Sequence, residues 1–285
     1  MVNHSHDDRM AGLSVGQGSA DDPAYTIEQA LSNLQQTEDP SARYYAAWWI
    51  GRFRVDEPTA IEALLKALED ESDRSPGGGY PLRRNAAKAL GKLGEVSVVP
   101  ALIDALNCSD YYVRESAAQS LEMLEDERAI PGLIQLLEGG VEVAKQVEGK
   151  PHLKEPYEAI LEALGTLQAK NAISLIEPFV EHFVPKVQFA AARALYQLTE
   201  NPMYGERLVK GLQEKTLQVR RSALMDLGAI GYLEAVDAIA KTLAENSLKL
   251  IALKGILEHH LTKRSLTQEL DNDLVHLMNL MDSLL

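Results

Sequence analysis

The sequence predicts an all-α protein, a right-handed α-solenoid of about seven helical hairpins. Three observations predict this fold. A motif recurs along most of the 285 residues, its apolar positions have the period of a helix, and prolines recur where the first helix of a hairpin should begin. Units that contain two amphipathic helices bury their apolar faces by stacking on their neighbours, and such stacking produces a solenoid.

The second half of each repeat is the easiest part to recognise. It reads LRRNAAKALGKLG (82–94), YVRESAAQSLEML (112–124), VQFAAARALYQLT (187–199) and VRRSALMDLGAIG (219–231). A central aliphatic residue marks each unit, at Ile50, Leu90, Leu121, Leu164, Leu195 and Leu227. Successive markers are 40, 31, 43, 31 and 32 residues apart, which indicates a repeat of about 31 residues with two insertions. The insertions are 71–81, whose three consecutive glycines are typical of a flexible surface loop, and 139–156.

Local signals place the helices within each unit. Apolar residues of one second helix recur at helical spacing, at Val113, Ala117, Leu121 and Leu124. Pro58, Pro100 and Pro131 fall in the first turn of the leading helices, where a missing N–H costs no hydrogen bond. Ser41 and Asp110 are the expected N-caps of two trailing helices.

We expect three parts along the chain. Residues 1–24 are polar and aperiodic, which predicts a disordered N-terminal tail. Residues 25–260 form the repeat solenoid. The amphipathic segment 261–285 is expected to be a helix that caps the open end of the solenoid.

Composition excludes several classes of function. The net charge of −14 disfavours nucleic acid as a partner, since phosphate binding needs clustered Lys and Arg. No apolar run reaches the roughly 18 residues that a membrane span needs, so no membrane association is expected. Cys108 is the only cysteine, so no intrachain disulfide can form and a cytoplasmic location is expected. No His-Glu pair recurs between units, and no metal site is predicted.

One short stretch, RYYAAWWIGRFR (43–54), contains both tryptophans of the chain, three further aromatics and three arginines. Its residues four apart share one helix face, at Tyr44, Trp48 and Arg52. We expect this face to point into the concave groove, with Tyr45 and Trp49 at its margin or against the next unit and Phe53 facing inward. The alternative is that these rings only cap the hydrophobic core at the N-terminal end of the solenoid.

Superposing the repeats brings further side chains onto the groove face. One arginine-rich column contains Arg43, Arg83, Arg114 and Arg220, and such arginines can form a structural ladder with turn carboxylates such as Asp39 or Asp110. The neighbouring column contains Tyr44, Arg84 and Glu115. Aromatic planes beside arginines suit a large, flat, conjugated ligand with carboxylates. The predicted binding residues are Tyr44, Tyr45, Trp48, Trp49, Arg52, Arg84, Tyr112, Arg114 and Glu115, and no catalytic residue is identified.

The stretches RYYAAWWIGRFRV (43–55) and NCSDYYVRESAAQSLE (107–122), with the VR-x-x-A-A-x-A-L repeats, resemble the HEAT-like repeat subunits of the heterodimeric phycobilin lyases. The resemblance covers nearly the whole chain from about residue 25. It implies HEAT-like hairpins, a second HEAT-repeat lyase subunit as partner, phycocyanobilin as substrate with no prosthetic group, and a cysteine of the phycocyanin alpha chain as acceptor. The implied reaction forms a thioether.

This implication agrees with the inferred ligand, because an open-chain tetrapyrrole is flat, conjugated and carries two propionates. We expect Tyr44, Trp48 and Trp49 to pack on the pyrrole rings. The expected propionate partners are Arg52, Arg84 and Arg114, and Glu115 is expected to bond pyrrole nitrogens. Two alternatives remain open, a subunit of a phycoerythrocyanin lyase-isomerase and a non-catalytic HEAT-repeat scaffold that binds phycobiliproteins.

Overall fold

The computed structural model describes residues 25–72, 74–262 and 271–285. The predicted tail, 1–24, lies outside the described residues. Within them the chain is all-helical apart from one isolated antiparallel bridge between Gln146 and Leu153. No helix in this part of the chain is long and apolar enough to cross a membrane.

Seven helical hairpins follow one another through the described residues. The first three are α1 (Ile27–Gln35) with α2 (Pro40–Phe53), α3 (Pro58–Glu69) with α4 (Pro81–Leu93), and α5 (Val99–Ala105) with α6 (Tyr111–Leu124). The fourth pairs α7 (Ile130–Gln135) and a short α8 (Gly140–Val143) with α9 (Tyr157–Thr166), and the fifth pairs α10 (Ile173–Ile176) with α11 (Pro185–Thr199). The last are α12 (Pro202–Gly211) with α13 (Leu217–Ile230), and α14 (Val236–Lys241) with α15 (Asn246–Thr262), followed by α16 (Asn272–Leu284).

The hairpins stack into two layers. The second helices pack in sequence, in the order α2, α4, α6, α9, α11, α13 and α15, and we call them the trailing layer. The first helices form the leading layer, and short 3₁₀ turns precede four of them, at Val96–Val98, Glu127–Ala129, Lys170–Ala172 and Leu233–Ala235. A fifth 3₁₀ segment, Glu177–Glu181, follows α10. Helix α16 packs on α14 and α15.

The predicted repeat register is confirmed by burial. All six marker residues are fully buried, at Ile50, Leu90, Leu121, Leu164, Leu195 and Leu227. Small residues bring the trailing helices close together. A Cβ added to Gly51 would lie 2.7 Å from the Ala89 Cα, and one added to Gly91 would lie 2.5 Å from the Ser120 Cβ. The fold of the trailing layer therefore depends on residues without bulky side chains at the helix contacts.

Helix starts follow the proline prediction but differ at one cap. Pro58, Pro100 and Pro131 lie in the first turns of α3, α5 and α7, as predicted. Asp110 caps α6 by accepting a 2.9 Å hydrogen bond from the Tyr112 N–H. The prediction of Ser41 as an N-cap is wrong. Pro40 needs no N–H partner and so occupies the first helical position of α2, which leaves the capping position to the residue before it.

The structure also corrects the predicted orientation of Phe53. Its side chain is 61% exposed, whereas the corresponding Leu124 and Leu198 of later repeats are buried. Helix α2 is the first of the trailing layer, so no earlier trailing helix covers this side of it. Phe53 packs instead on the Trp49 ring, with centroids 4.8 Å apart.

Candidate functional site

A cavity of about 820 Å³ opens at the N-terminal ends of α4 and α6. Both insertions of the repeat pattern form its walls. Its lining comprises Tyr44, Ser75, Gly77, Gly78, Gly79, Tyr80, Pro81, Arg84, Asn85, Ser109, Asp110, Tyr111, Tyr112, Arg114, Val147, Lys150, Pro151, His152 and Lys154. The insertions that interrupt the repeat are therefore what turns a helical surface into a pocket.

The first insertion is held in place by Asp110. One carboxylate oxygen of Asp110 caps α6, and the other accepts a 2.7 Å hydrogen bond from the Tyr80 N–H. Ser75 closes the glycine turn, because its hydroxyl accepts a hydrogen bond from the Gly79 N–H and its own N–H donates to the Gly79 carbonyl. A Cβ at Gly79 would lie 3.1 Å from the Asp110 carboxylate, so this close approach favours glycine.

The second insertion folds back as a small hairpin, residues 145–154, that is clamped by Arg114. Its main chain pairs across the Gln146–Leu153 bridge and through the Lys154 N–H to the Lys145 carbonyl. The Arg114 guanidinium donates to the Glu155 carboxylate at 2.7 Å and to the Lys154 carbonyl at 2.9 Å. Its third bond, at 2.7 Å, goes to the Cys108 carbonyl.

Other members of the arginine column have the same structural use. Arg43 pairs with Asp70 and Arg83 pairs with Glu71, while Arg220 donates to three main-chain carbonyls. The four arginines therefore form a ladder that joins α2, α4, α6 and α13 to nearby turns. Its partners differ from the carboxylates of Asp39 and Asp110 that the repeat pattern suggested.

Three aromatic rings form the wall between this cavity and a smaller one. Tyr111 stacks on His152, with ring centroids 4.2 Å apart and planes 15° from parallel. Tyr112 meets both rings edge-on, at 5.2 Å from Tyr111 and 5.9 Å from His152. Burial, with smaller effects of Glu115 and Glu158, raises the pKa of Tyr111 well above its usual range, so this phenol stays protonated at neutral pH.

Arg84 supplies a positive charge at the cavity. Its guanidinium lies 5.1 Å from the centre of the Tyr112 ring, a cation–π contact. No ion pair of Arg84 is present among the described residues, and its buried Nε has no hydrogen-bond partner there. Lys150 and Lys154 add exposed cations to the same lining. The cavity therefore combines aromatic planes with cationic groups able to bind carboxylates.

The smaller cavity, of about 320 Å³, lies on the other side of the same aromatic wall. It shares Tyr111, Tyr112, Pro151 and His152 with the larger one. Its remaining lining includes Glu115, Gln146, Leu153, Tyr157, Glu158, Phe183, Val184 and Val187. One side of the wall is thus rich in cations, and the other side carries carboxylates.

The structure divides the predicted binding residues into two groups. Four of them line the larger cavity, namely Tyr44, Arg84, Tyr112 and Arg114, and Glu115 lines the smaller one. The other four lie elsewhere on α2, namely Tyr45, Trp48, Trp49 and Arg52. Three lining residues, Tyr80, Tyr111 and His152, are not among the predicted binding residues. The lengthened repeat spacing does indicate the two insertions that contain Tyr80 and His152.

The aromatic residues of α2 form a separate cluster with Tyr25 at the start of the solenoid. The Tyr25 ring contacts Tyr45 at 5.3 Å and Trp49 at 5.2 Å. Trp48 contacts Tyr45 at 5.5 Å and is 44% exposed. Trp49, in contrast, packs against the core. The cluster thus covers the end of the core and also presents one exposed indole.

Comparison with known proteins agrees with this architecture. Residues 80–148 match a model of HEAT repeats, and 42–70 and 219–245 match the PBS lyase HEAT-like repeat. A solved complex of CpcE and CpcF of phycocyanin lyase from Nostoc sp. PCC7120 contains a chain that is 59% identical, with a TM-score of 0.86, and the match covers 95% of this chain and all of that one.

Curated relatives are similar over nearly the same length. Phycocyanobilin lyase subunit alpha of Synechocystis sp. is 64% identical over 92% of this chain and 97% of the relative. Bilin biosynthesis protein PecE of Mastigocladus laminosus is 47% identical over 83% of this chain and 82% of the relative. At these identities and coverages, the chain belongs to the family of phycocyanobilin lyase alpha subunits.

Proposed function

We propose that this chain is one subunit of a heterodimeric chromophore lyase, which attaches phycocyanobilin through a thioether to a cysteine of the phycocyanin alpha chain. The names of the curated relatives support the lyase activity and the bilin substrate. The solved CpcE and CpcF complex supports a partnership with a second subunit. A cytoplasmic location, in which Cys108 stays reduced, is part of the same proposal.

The single observation that carries a bilin site on this chain is the cavity between the two insertions. Its volume of about 820 Å³ lies within the range of small-molecule sites. Tyrosine planes line it, and Arg84 lies there without an ion pair among the described residues. A flat tetrapyrrole with two propionates needs these two features, ring surfaces to pack on and cations for its carboxylates.

The residues have distinct roles in this proposal. Tyr44 and Tyr112 pack on pyrrole rings, and Arg84 pairs with a propionate, with Lys150 as a further cation in the same lining. Glu115 approaches the pyrrole nitrogens from the smaller cavity. Arg114 acts indirectly, because its hydrogen bonds hold the second insertion in place.

The proposed chemistry is an addition in which nothing is oxidised or reduced. The acceptor sulfur bonds to the ethylidene carbon of ring A, and the thiol proton ends on the other carbon of that double bond. Because such an alkene reacts with thiols unaided, the protein contributes mainly by fixing the orientation of the two reactants and excluding other adducts.

Arg84→Gln tests the site in the co-expressed heterodimer. We expect bilin affinity to fall about tenfold or more, since a charge-assisted hydrogen bond contributes about 1.5–3 kcal/mol. The matched control is Arg221→Gln, the equivalent position of the sixth repeat, whose guanidinium pairs with Glu245. Binding is followed by the absorbance of added phycocyanobilin. Equal affinities for Arg84→Gln and Arg221→Gln would show that the bilin does not bind in this cavity.

The same heterodimer, supplied with phycocyanin alpha chain, tests the activity itself. A lyase gives covalent pigment that stays on the acceptor in a denaturing gel. A lyase-isomerase, the alternative that the sequence leaves open, gives a product with absorbance shifted toward the green. A scaffold without catalysis gives no covalent pigment.

A further inference from the structure

His152 is the imidazole in the wall between the two cavities. It is half-buried and lines both of them. Its ring is fixed on one face by Tyr111, at a centroid distance of 4.2 Å, and along one edge by Tyr112. The hairpin that carries it is itself held, because the Val147 N–H donates to the His152 carbonyl and Arg114 donates to the Lys154 carbonyl. The ring therefore has a defined position.

The hydrogen bonds of His152 also define which nitrogen carries a proton. Nδ1 lies 2.7 Å from the Leu153 carbonyl oxygen. A carbonyl oxygen only accepts, so Nδ1 must be the donor and carry a hydrogen. In the neutral ring Nε2 is then the bare acceptor, and it has no hydrogen-bond partner among the residues the structure describes. An imidazole oriented through Nδ1 with an available Nε2 is the arrangement of a general base.

We propose that His152 is the general base of the attachment reaction and that its Nε2 removes the proton from the acceptor thiol. This inference rests on the proposed function. The thiolate sulfur then bonds to the ethylidene carbon of the bilin, and the π electrons of the double bond move to its other carbon. The imidazolium returns its proton to that carbon, so the sum is addition of S–H across the double bond, and His152 is regenerated.

The charges around His152 fit this role. Toward the larger cavity lie the cations Arg84, Arg114, Lys150 and Lys154, together with the capping carboxylate of Asp110. Toward the smaller cavity lie the carboxylates Glu115 and Glu158 with the phenol of Tyr157, and Tyr111 and Tyr112 form the wall itself. The larger cavity thus suits an anionic bilin, and the two carboxylates lie on the opposite side of the ring.

The phenols beside His152 are poor alternatives to it. Tyr111 has its pKa raised above its usual range, and the pKa of Tyr157 is raised to about 12, in both cases chiefly by burial. Both phenols therefore stay protonated near neutral pH, so neither can accept the proton of a thiol. The imidazole is therefore a better base than either of these two phenols.

His152→Asn in the heterodimer tests the proposal, since the Asn amide still donates toward the Leu153 carbonyl but offers no basic nitrogen. We expect thioether formation to slow by about 100-fold at neutral pH, with loss of the acid limb of the pH–rate profile. Binding of phycocyanobilin, followed by absorbance without acceptor, should change less than about threefold. Free imidazole should restore part of the rate to His152→Ala. Glu148→Gln, an exposed change in the same hairpin that lies outside both cavities, should match the original protein.

The outcomes separate the two proposals. An unchanged rate and pH profile in His152→Asn would overturn the role of His152 while leaving the lyase proposal intact. Loss of bilin binding in His152→Asn, without rescue of His152→Ala by imidazole, would show that His152 holds the bilin. That result would also overturn the role of His152 as general base. If the unmodified heterodimer forms no thioether, the proposed function itself fails.

Discussion

The guanidinium of Arg193 on α11 donates a 2.5 Å hydrogen bond to the carboxylate of Glu122 on α6, two trailing helices earlier. The same guanidinium lies 3.6 Å from a Glu162 oxygen on α9 and 3.8 Å from an Asp226 oxygen on α13. One cation therefore links four successive helices of the trailing layer and faces three carboxylates. The side chain of Arg193 is only 14% exposed, so this charge cluster is shielded from solvent.

Arg193→Met should destabilise the protein strongly at neutral pH. The change leaves Glu122, Glu162 and Asp226 close together without their counter-charge, and loss of one partner of a buried ion pair costs about 3 kcal/mol or more. Urea unfolding followed by circular dichroism measures the difference. Arg128→Met is the control, since Arg128 is 54% exposed in its pair with Asp126 and its loss should change stability little. Equal effects of the two substitutions would show that the cluster contributes no more than a surface pair.

The cluster also predicts how stability changes with pH. Burial raises the pKa values of Asp226 and Glu162 above the ordinary carboxyl range, although Arg193 opposes the shift. The folded state therefore binds more protons than the unfolded state above about pH 4, the ordinary carboxyl pKa. Stability from these groups is complete below that pH and declines as the pH rises toward the raised pKa values.

Asp226→Asn removes one of the two groups at nearly constant shape. One oxygen of Asp226 has no hydrogen-bond partner among the described residues, so the amide loses no such bond. We expect the variant to gain stability relative to the original protein as the pH rises from about 5 to about 8. Melting temperatures measured across this range test the expectation. Melting temperatures that change with pH in the same way for the two proteins would contradict it.

The charge cluster and the cavity illustrate what the sequence can and cannot predict. Helical periodicity predicts that Leu121 lies in the core, because it is a local signal that recurs in every repeat. The contact between Tyr111 and His152 has no such signal, since one residue starts a repeat helix and the other lies in an insertion. The unequal repeat spacing indicates where an insertion begins, but its folding back onto α6 depends on contacts such as the hydrogen bond between Arg114 and Glu155.

Gly91→Ala should destabilise the trailing layer although alanine favours helices. The new Cβ would lie 2.5 Å from both the Cβ and the Oγ of Ser120, and Ser120 is fixed by a 2.8 Å hydrogen bond to the Ala87 carbonyl. Overpacking of this kind costs about 1–3 kcal/mol, which exceeds the gain of about 1 kcal/mol in helix propensity. Gly77→Ala is the control, because an added Cβ there meets nothing within 4 Å. A stabilised Gly91→Ala protein would show that α4 and α6 can move apart at little cost.

Glu125→Gly should stabilise the protein slightly. Glu125 ends α6 in the left-handed conformation with φ of 51°, the position that Gly94 occupies after α4 with φ of 79°. A non-glycine residue is strained there by about 1 kcal/mol, and the flexibility that glycine adds to the unfolded chain offsets part of the gain, which leaves about 0.5 kcal/mol. Glu127→Gly removes the same charge within a 3₁₀ turn and should destabilise instead. The two urea midpoints should therefore move in opposite directions.

The two adjacent tryptophans should respond differently to substitution by alanine. Trp49 packs against the core and lies between the Tyr25 and Phe53 rings, so Trp49→Ala should reduce the free energy of unfolding by about 3 kcal/mol. Trp48 is 44% exposed and lies one helical turn from Tyr44, which lines the larger cavity. Because Trp48 shares this helix face with Tyr44, the predicted contact of its indole with the bilin can be tested directly. Trp48→Ala should weaken bilin binding while stability stays nearly unchanged.

Paired measurements on the heterodimer distinguish the two uses of these rings. Bilin affinity is followed by absorbance and unfolding by urea. If Trp48→Ala binds phycocyanobilin as tightly as the original protein, the exposed indole has no contact with the pigment. Stacking of a pyrrole on an indole contributes about 0.5–1.5 kcal/mol, so losing this contact should reduce affinity by up to about tenfold. Without such a loss, the remaining role of the α2 stretch, including Tyr45 and Arg52, would be to cover the end of the core or to contact the partner subunit.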